Sequence, residues 1–420
     1  MLHSKKSTPD RKIEIMAPAG DWASMQAALQ ANADSVYFGV EKLNMRARSS
    51  NNFKLDDLPE IAALCNSRQT KTYLTLNTVL YDEDLPAMET VIDRVKESGI
   101  HAIIASDQAA ILYANQRGVN VHISTQTNIS NIAMVEFYSR FADVMVLARE
   151  LNLNQVKNIN RAIKERNITG PSGYPVRIEV FAHGALCMAV SGKCYLSLHT
   201  YNSSANRGEC KQNCRHQYHV TANGGDGFLV ENEYIMSPKD LCTIDFLDLI
   251  LDAGVSVLKI EGRGRSPEYV KTVTGCYKEA AESVLSGTYT TEQIERWKNR
   301  LAGVYNRGFW GGYYLGSKMG EWSKRHGSSS TKQKIFVGDV LHYYPKAGIA
   351  HIRIKSNQIN IHDSLLIIGK TTGVIETSPS SIWVDDQPSS LAKKGEECTI
   401  KVDEKVRRGD AVYLWTDRRN

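Results

Sequence analysis

Four cysteines in one stretch are the residues best able to do chemistry. From Glu179 to Cys214 the chain reads EVFAHGALCMAVSGKCYLSLHTYNSSANRGECKQNC. Cys187, Cys194, Cys210 and Cys214 stand in it as C-x6-C, a gap of fifteen, then C-x3-C. Four thiolates brought together can hold a metal or a cluster, and soft sulfur favours zinc or iron–sulfur. Structural zinc usually takes its cysteines in tight pairs, and only Cys210 and Cys214 come near that spacing. Wide, irregular gaps suit a cubane cluster better, because its corners lie farther apart than the ligands of one ion. Free thiols remain a third reading, since cysteine is often a small core residue. Cys65, Cys242, Cys276 and Cys398 read as core thiols.

Rigid elements must position such a site. Val176 to Phe181, just before Cys187, is an apolar, β-branched run that reads as a buried strand. Seven more strand-like runs occur: KIEIMAPAGD, SVYFGV, KTYLTLNTVL, AIIASD, NVHISTQT, DVMVLARE and SVLKIEGRGRS. Amphipathic stretches such as WASMQAALQANA, DLPAMETVIDRVKESG and LNQVKNINRAIKERN lie between them. Strand and helix alternating at this spacing imply a parallel sheet of the α/β class. Eight such units predict a closed (β/α)8 TIM-like barrel with a cysteine-rich loop after the seventh strand. No G-x-G-x-x-G follows the first strand, as an open dinucleotide-binding sheet would require.

In such a barrel the active site lies at the C-terminal strand ends. Those ends carry Pro18, Gly20, Asp21, Gly39, Glu41, Asn77, Asp107, Ser124, Gln126, Arg149, His183, Lys259, Glu261 and Arg263. Asn77, Gln126 and Lys259 are read from this ring as substrate contacts. Arg46 and Arg48 follow the second strand in NMRARSSNNF, and Arg263 and Arg265 follow the eighth. Guanidinium groups suit carboxylates and phosphates, so a cationic rim is expected beside the cysteines. His183 and Glu261, at adjoining strand ends, are the acid–base candidates. The chain has no G-x-S-x-G and no H-E-x-x-H.

The pattern E-x-F-x-x-G-A-L-C-x4-G-x-C-x-L-S, Glu179 to Ser197, resembles the signature of peptidase family U32, the collagenase-like proteases of unknown catalytic type. ANRGECKQNCR, SPKDL and KIEGRGRSPEYV fit its tRNA-hydroxylation branch best. That resemblance implies a four-iron four-sulfur (4Fe-4S) cluster on Cys187, Cys194, Cys210 and Cys214. It also implies prephenate as co-substrate, tRNA as partner, and conversion of the wobble uridine to 5-hydroxyuridine. Ribosomal RNA hydroxylation by the same chemistry, or peptidase activity, are the alternatives it leaves. A mouth lined by arginines is chemically suited to a dicarboxylate such as prephenate.

Composition limits the partners. Among 420 residues 42% are apolar and 23% charged, and the net charge is +5, which permits an RNA partner without demanding one. No run has the length of a membrane span, and the start MLHSKKSTPDRK is too polar for a secretory signal. A cytoplasmic protein with reduced thiols, bound to neither membrane nor DNA, is the expectation.

Beyond the barrel, residues 1–325, the segment 326–334 is polar and small-residue-rich and reads as a linker. Short strands from Ile335 to the end predict a small antiparallel β-barrel that resembles domain two of translation factors. Such barrels often contact RNA. Just before the linker, Arg307, Phe309, Trp310, Tyr313 and Tyr314 either stack on bases or pack on the barrel.

Overall fold

The computed structural model describes residues 12–48, 51–219 and 234–418. Residues 1–11, which carry most of the polar start, and Ser49 and Ser50 of the arginine loop lie outside the described residues.

The first half alternates strand and helix. In order come β1 (Glu14–Pro18), α1 (Trp22–Gln30), β2 (Ser35–Phe38), α2 (Leu58–Asn66), β3 (Lys71–Leu76), α3 (Leu85–Ser98), β4 (Ala102–Ala105), α4 (Gln108–Arg117), β5 (Val121–Ile123), α5 (Ile132–Tyr138), β6 (Val144–Val146), α6 (Leu153–Glu165) and β7 (Arg177–Gly184). The helices begin and end where their caps dictate. Asp21 and Asp107 accept the first free N–H groups of α1 and α4, and Gly99 and Gly118 end α3 and α4 in left-handed turns.

The cysteine loop follows β7 and contains α7 (Leu196–Tyr201). Then come β8 (Asp240–Cys242), α8 (Leu247–Asp252), β9 (Val257–Ile260), α9 (Pro267–Ser286), α10 (Thr291–Gly303) and β10 (Phe309–Trp310). Strands β1 to β7 pair in parallel, each with the next, and β9 pairs in parallel with both β7 and β1. The eight parallel strands therefore close into the expected barrel. One element was not foreseen: β8, in SPKDLC, pairs antiparallel with the end of β7, matching His183 with Cys242 and Gly184 with Leu241.

Strand alternation sends one set of side chains out to the helices and one set in. The outward set, such as Ile15, Ala17, Val36, Phe38, Leu74 and Ile103, forms the large core under the helices. The inward set is mixed. Met16, Tyr37, Tyr73, Ala102, Ile104, Val144 and Val257 form a small apolar cluster, and charged groups share the interior with it. Arg177 Nη1 donates to Glu14 Oε2 at 2.9 Å and Tyr73 OH to Glu14 Oε1 at 2.7 Å. Above them Lys259 Nζ donates to Glu179 Oε1 at 2.7 Å. Buried charges persist only when paired, and these are.

The C-terminal part is antiparallel, as expected: β11 (Lys332–Tyr344), β12 (Ile349–Ile354), β13 (Gln358–Asn360), β14 (Leu365–Gly369), β15 (Gly373–Thr377), β16 (Ile382–Val384), β17 (Gln387–Ser389), β18 (Leu391–Lys393), β19 (Glu397–Lys401) and β20 (Ala411–Asp417). Eight of these strands make one sheet, and β13 pairs with β18 in a second ladder. They enclose their own core of Val337, Ile352, Ile367, Ile400 and Val412 among others. The first strand already begins at Lys332, inside the segment read as linker. The residues before it are held to the barrel: Ser329 N–H donates to Asn306 O at 2.7 Å and Thr331 N–H to Ala302 O at 2.9 Å. Among the described residues no helix is long and apolar enough to cross a membrane.

The β-domain docks on the barrel's outer face. Leu366 and Val374 belong to the barrel's core cluster, and Gln30 of α1 bonds both the Thr372 carbonyl and the Val374 N–H. Lys271 of α9 donates to the Val374 carbonyl at 2.8 Å. Val374→Asp puts an unpaired carboxylate in this seam and should cost about 2–4 kcal/mol of docking. Calorimetry should then show a second, lower transition; one unshifted transition would show the seam to be dispensable.

Candidate functional site

The C-terminal mouth of the barrel centres on Glu261, the residue after β9. Alternation along β9 points Val257, Lys259 and Glu261 inward in turn. The Glu261 carboxylate takes Arg46 Nη2 at 2.8 Å and Tyr37 OH at 3.3 Å. Burial alone would raise this carboxyl, but Arg46, Arg149 and Arg263 outweigh it and hold it at about 2. Glu261 is thus a fixed anion at neutral pH, a counter-ion rather than an acid.

One carboxylate faces three guanidinium groups here. Arg263 is buried and bonds only neutral oxygens in the contacts observed: Thr75 Oγ1 at 2.6 Å and Asn44 Oδ1 at 3.0 Å. Burial pulls its pKa down to about 10. Arg149, beyond β6, lies on the Phe181 ring at 3.8 Å and donates from Nη1 to the Ala185 carbonyl at 3.1 Å. Its Nε is buried without a hydrogen-bond partner. Such a nitrogen costs free energy until something accepts from it. The arrangement suits an anionic guest.

The cysteine loop roofs this mouth. Cys187 is exposed, and Cys194, Cys210 and Cys214 are half-buried. Burial raises the Cys214 thiol, Arg215 pulls it back, and Cys187, Cys210 and Cys194 each add to the rise. The other three thiols therefore lie within electrostatic reach of Cys214. Cys187 and Cys210 also favour the charged form of Arg46, after the larger effects of Glu261 and burial, which places the group against the mouth.

Among the described residues no three Cys, His, Asp or Glu side chains stand close enough to share one metal ion. Zinc would need sulfurs within about 4 Å of one another, given its ~2.3 Å bonds. A four-iron four-sulfur cluster bonds each thiolate to a different iron, and four soft thiol donors match that donor set in number and kind.

Long-range ties hold the loop. Gly184 turns it out of β7 at φ 107°, where any Cβ would strike the Glu261 carbonyl oxygen. Gly208 does the same at φ 86° against the Asn44 carbonyl. Arg215 Nη2 donates to the Leu186 carbonyl and Nη1 to the Pro238 carbonyl, both at 2.6 Å, clamping the loop's two ends. Cys194 N–H donates to Asn206 Oδ1 at 3.3 Å. A cavity of about 400 Å³ opens beside Cys210, lined by Arg48, Lys211, Arg215, His216 and His326.

The expected site residues fall into three places. Arg46, Asn77 and Gln126 reach the mouth. Asn77 accepts from Met45 N–H at 3.2 Å and donates to Gln126 Oε1 at 3.3 Å, while Gln126 Oε1 also takes Ser124 Oγ. Arg48 stands farther out, largely exposed, 2.7 Å from Glu209. Lys259 lies deeper, spent on Glu179. Arg263 is spent on Thr75 and Asn44, and so braces the Asn44 loop. Arg265 is turned to Asp240, 3.3 Å away, and to the Tyr305 ring at 3.8 Å.

His183 does not sit in the mouth. The β7–β9 register shifts between Phe181 and His183, and this bulge turns the imidazole outward against α9. It is 1% exposed, among the rings of Tyr269, Tyr277 and Phe309. Burial, then Arg265, hold it neutral, with a pKa of about 3. Tyr314 and Trp310 are buried too, with Tyr314 OH on the Phe181 carbonyl at 2.8 Å, so that aromatic segment packs on the barrel. Arg149 and Arg215 carry more of the site than their sequence signals suggest. Arg149 stood in the ring of strand ends; Arg215 had no local signal beyond its place next to Cys214.

A model of peptidase family U32 matches residues 20–324. A protein of Porphyromonas gingivalis named collagenase is 56% identical over 97% of this chain and 98% of its own length. The tRNA hydroxylation protein P1 of Bacillus subtilis is 29% identical over 79% of this chain and 78% of its own. The 23S rRNA 5-hydroxycytidine C2501 synthase of Escherichia coli is 35% identical over 65% of this chain and 40% of its own.

The buried His183 makes stability depend on pH. Its folded pKa lies below the ordinary 6.5, so the unfolded chain binds the extra proton as pH falls below that value. The thermal midpoint should drop between pH 6.5 and 4.5, by up to about 1.4 kcal/mol of stability per pH unit from this group. His183→Asn should flatten that slope; an equal slope in both proteins would refute the assignment.

Proposed function

The chain belongs to peptidase family U32, and on that premise we propose that it is an iron–sulfur RNA-modification enzyme. It hydroxylates the wobble uridine of tRNA to 5-hydroxyuridine, with prephenate as co-substrate, in the cytoplasm. The observation that carries this reading is the four-thiol group set against a mouth where three arginines face one carboxylate. Cys187, Cys194, Cys210 and Cys214 would hold a four-iron four-sulfur cluster, which supplies one-electron transfer when bound.

The rest falls to the chain's own residues. Glu261 and Tyr37 orient Arg46, and Phe181 and the Ala185 carbonyl orient Arg149. The co-substrate's carboxylates are received by Arg149 Nε and the neighbouring guanidinium groups, in a site that burial makes selective for anions. Asn77, beside the Arg46 loop, with Gln126 and Ser124 offers neutral donors and acceptors suited to a nucleobase edge. The names of the Bacillus and Escherichia relatives support hydroxylation of an RNA base. Ribosomal RNA is the variant substrate.

A second reading, peptidase, is favoured by the name of the Porphyromonas relative. The side chains give it less. Among the described residues the hydroxyl–imidazole contacts are Thr72 with His101 and Tyr277 with His183. The first lies at the opposite end of the barrel and the second is buried outside it. A peptidase needs a nucleophile and a base together at the mouth.

Anaerobically purified protein should be brown, with iron and sulfide in equal amounts, and Cys210→Ala or Cys214→Ala should bleach it. Zinc without iron would refute the cluster. Arg149→Met should keep the colour and the fold but lose about 1.5–3 kcal/mol of carboxylate binding. That appears as a roughly ten- to hundredfold rise in the prephenate needed for half-maximal tRNA modification. An unchanged requirement would remove Arg149 from the anion site.

A further inference from the structure

The cysteine loop carries an exposed apolar face that neither the fold nor the cluster explains. Tyr195 is 69% exposed, Tyr201 53% and Tyr81 51%. Met188, Val190 and Leu198 are exposed beside them. Soluble proteins seldom leave such groups together without a use.

The three tyrosines belong to one surface around the cysteines. Tyr195 and Tyr201 stand at the two ends of α7. Tyr81 comes from the loop after β3, which is tied to the cysteine loop: Val79 N–H donates to the Asn206 carbonyl at 3.1 Å, and the Arg207 guanidinium lies 4.0 Å over the Tyr81 ring. Asn206 in turn holds Cys194. The α7 side of this surface is cationic, whereas Tyr81 is followed by Asp82, Glu83 and Asp84, the last paired with Arg207 at 2.7 Å. From Ala185 to His219 the chain has four lysines and arginines against one acid, Glu209. Lys193 and Lys211 are exposed, and each is the chain neighbour of a cluster cysteine.

Exposed aromatic rings between cations suit one class of partner above others. Single-stranded nucleic acid offers a flat π-face on every base and a charge on every phosphate. A duplex keeps its bases stacked away, so an unpaired loop is needed. We propose that Tyr81, Tyr195 and Tyr201, with Lys193 and Lys211, form the platform that receives a single-stranded RNA loop and presents one unstacked base to the mouth. This deepens the RNA-modification reading and rests on it. It also moves the RNA contact from the C-terminal β-domain to the cysteine loop.

The test is fluorescence anisotropy of anaerobically purified full-length protein with an unmodified anticodon stem-loop RNA, at several salt concentrations. Tyr195→Ala and Tyr201→Ala should each weaken binding about tenfold with little change in salt slope. Lys193→Ala and Lys211→Ala should each lower the salt slope by about one. Trp383→Ala, on the exposed surface of the β-domain, should bind like the wild type. RNA binding that none of the loop substitutions alters would overturn the platform and leave the RNA-modification reading standing. Absence of wild-type RNA binding, with gelatin binding that the tyrosine substitutions abolish, would overturn both in favour of a protein partner.

Discussion

Glu261 is one carboxylate among three arginines, and the mouth of the barrel is built on that imbalance. Burying a guanidinium is costly unless an anion or several oxygens receive it. Arg46 has the carboxylate, Arg263 has Thr75 and Asn44, and Arg149 has a ring face, one carbonyl and an unanswered Nε. The residues that hold these groups are also those that shape the site. Arg263 fixes the Asn44 loop that carries Arg46, and Gly208 of the cysteine loop closes on the Asn44 carbonyl. Charge at the mouth and the place of the cysteines are therefore one construction.

The interior below is consistent with this. A barrel of this kind is usually filled by branched apolar side chains. Here Glu14, Glu179, Lys259, His122 and Arg177 share the space with Tyr37 and Tyr73. Glu179 is fully buried; burial would raise its carboxyl, but Lys259 and His122 hold it below the ordinary range. Lys259 in turn lies 4.7 Å from the ring of Tyr37, whose hydroxyl reaches Glu261. Such a column of paired charges fixes side-chain positions more tightly than it adds stability, and it ends in the groups that define the mouth.

Much of this was legible in the sequence, for physical reasons. Eight apolar, β-branched runs separated by amphipathic ones leave few topologies other than a parallel barrel. Period-two alternation alone puts Val257, Lys259 and Glu261 on one face. His183 escaped the same logic because a bulge after Phe181 reverses the alternation, and Phe181, Ala182 and His183 themselves include no glycine or proline to mark it. Which arginine serves the mouth was also hidden. Arg46, Arg149, Arg263 and Arg265 look alike in sequence, and their partners lie far away along the chain. Strand β8 is only three residues long, too short for any periodicity, yet it seals the end of β7 where the cysteine loop departs.

Family membership leaves two chemistries open, RNA hydroxylation and peptide hydrolysis, and the first is the one we propose. On that proposal the four cysteines would serve electron transfer and the cationic mouth a carboxylate co-substrate. Peptide hydrolysis would need a nucleophile held to a base, and among the described residues no hydrogen bond joins one of these thiols to an imidazole, although His216 and His326 line the cavity beside Cys210. The most direct test is nucleoside mass spectrometry of tRNA and rRNA from a strain lacking this gene. The account predicts loss of 5-hydroxyuridine or a nucleoside derived from it, restored by the intact gene. Unaltered tRNA and rRNA, together with a loss of gelatin cleavage in the same strain, would contradict it.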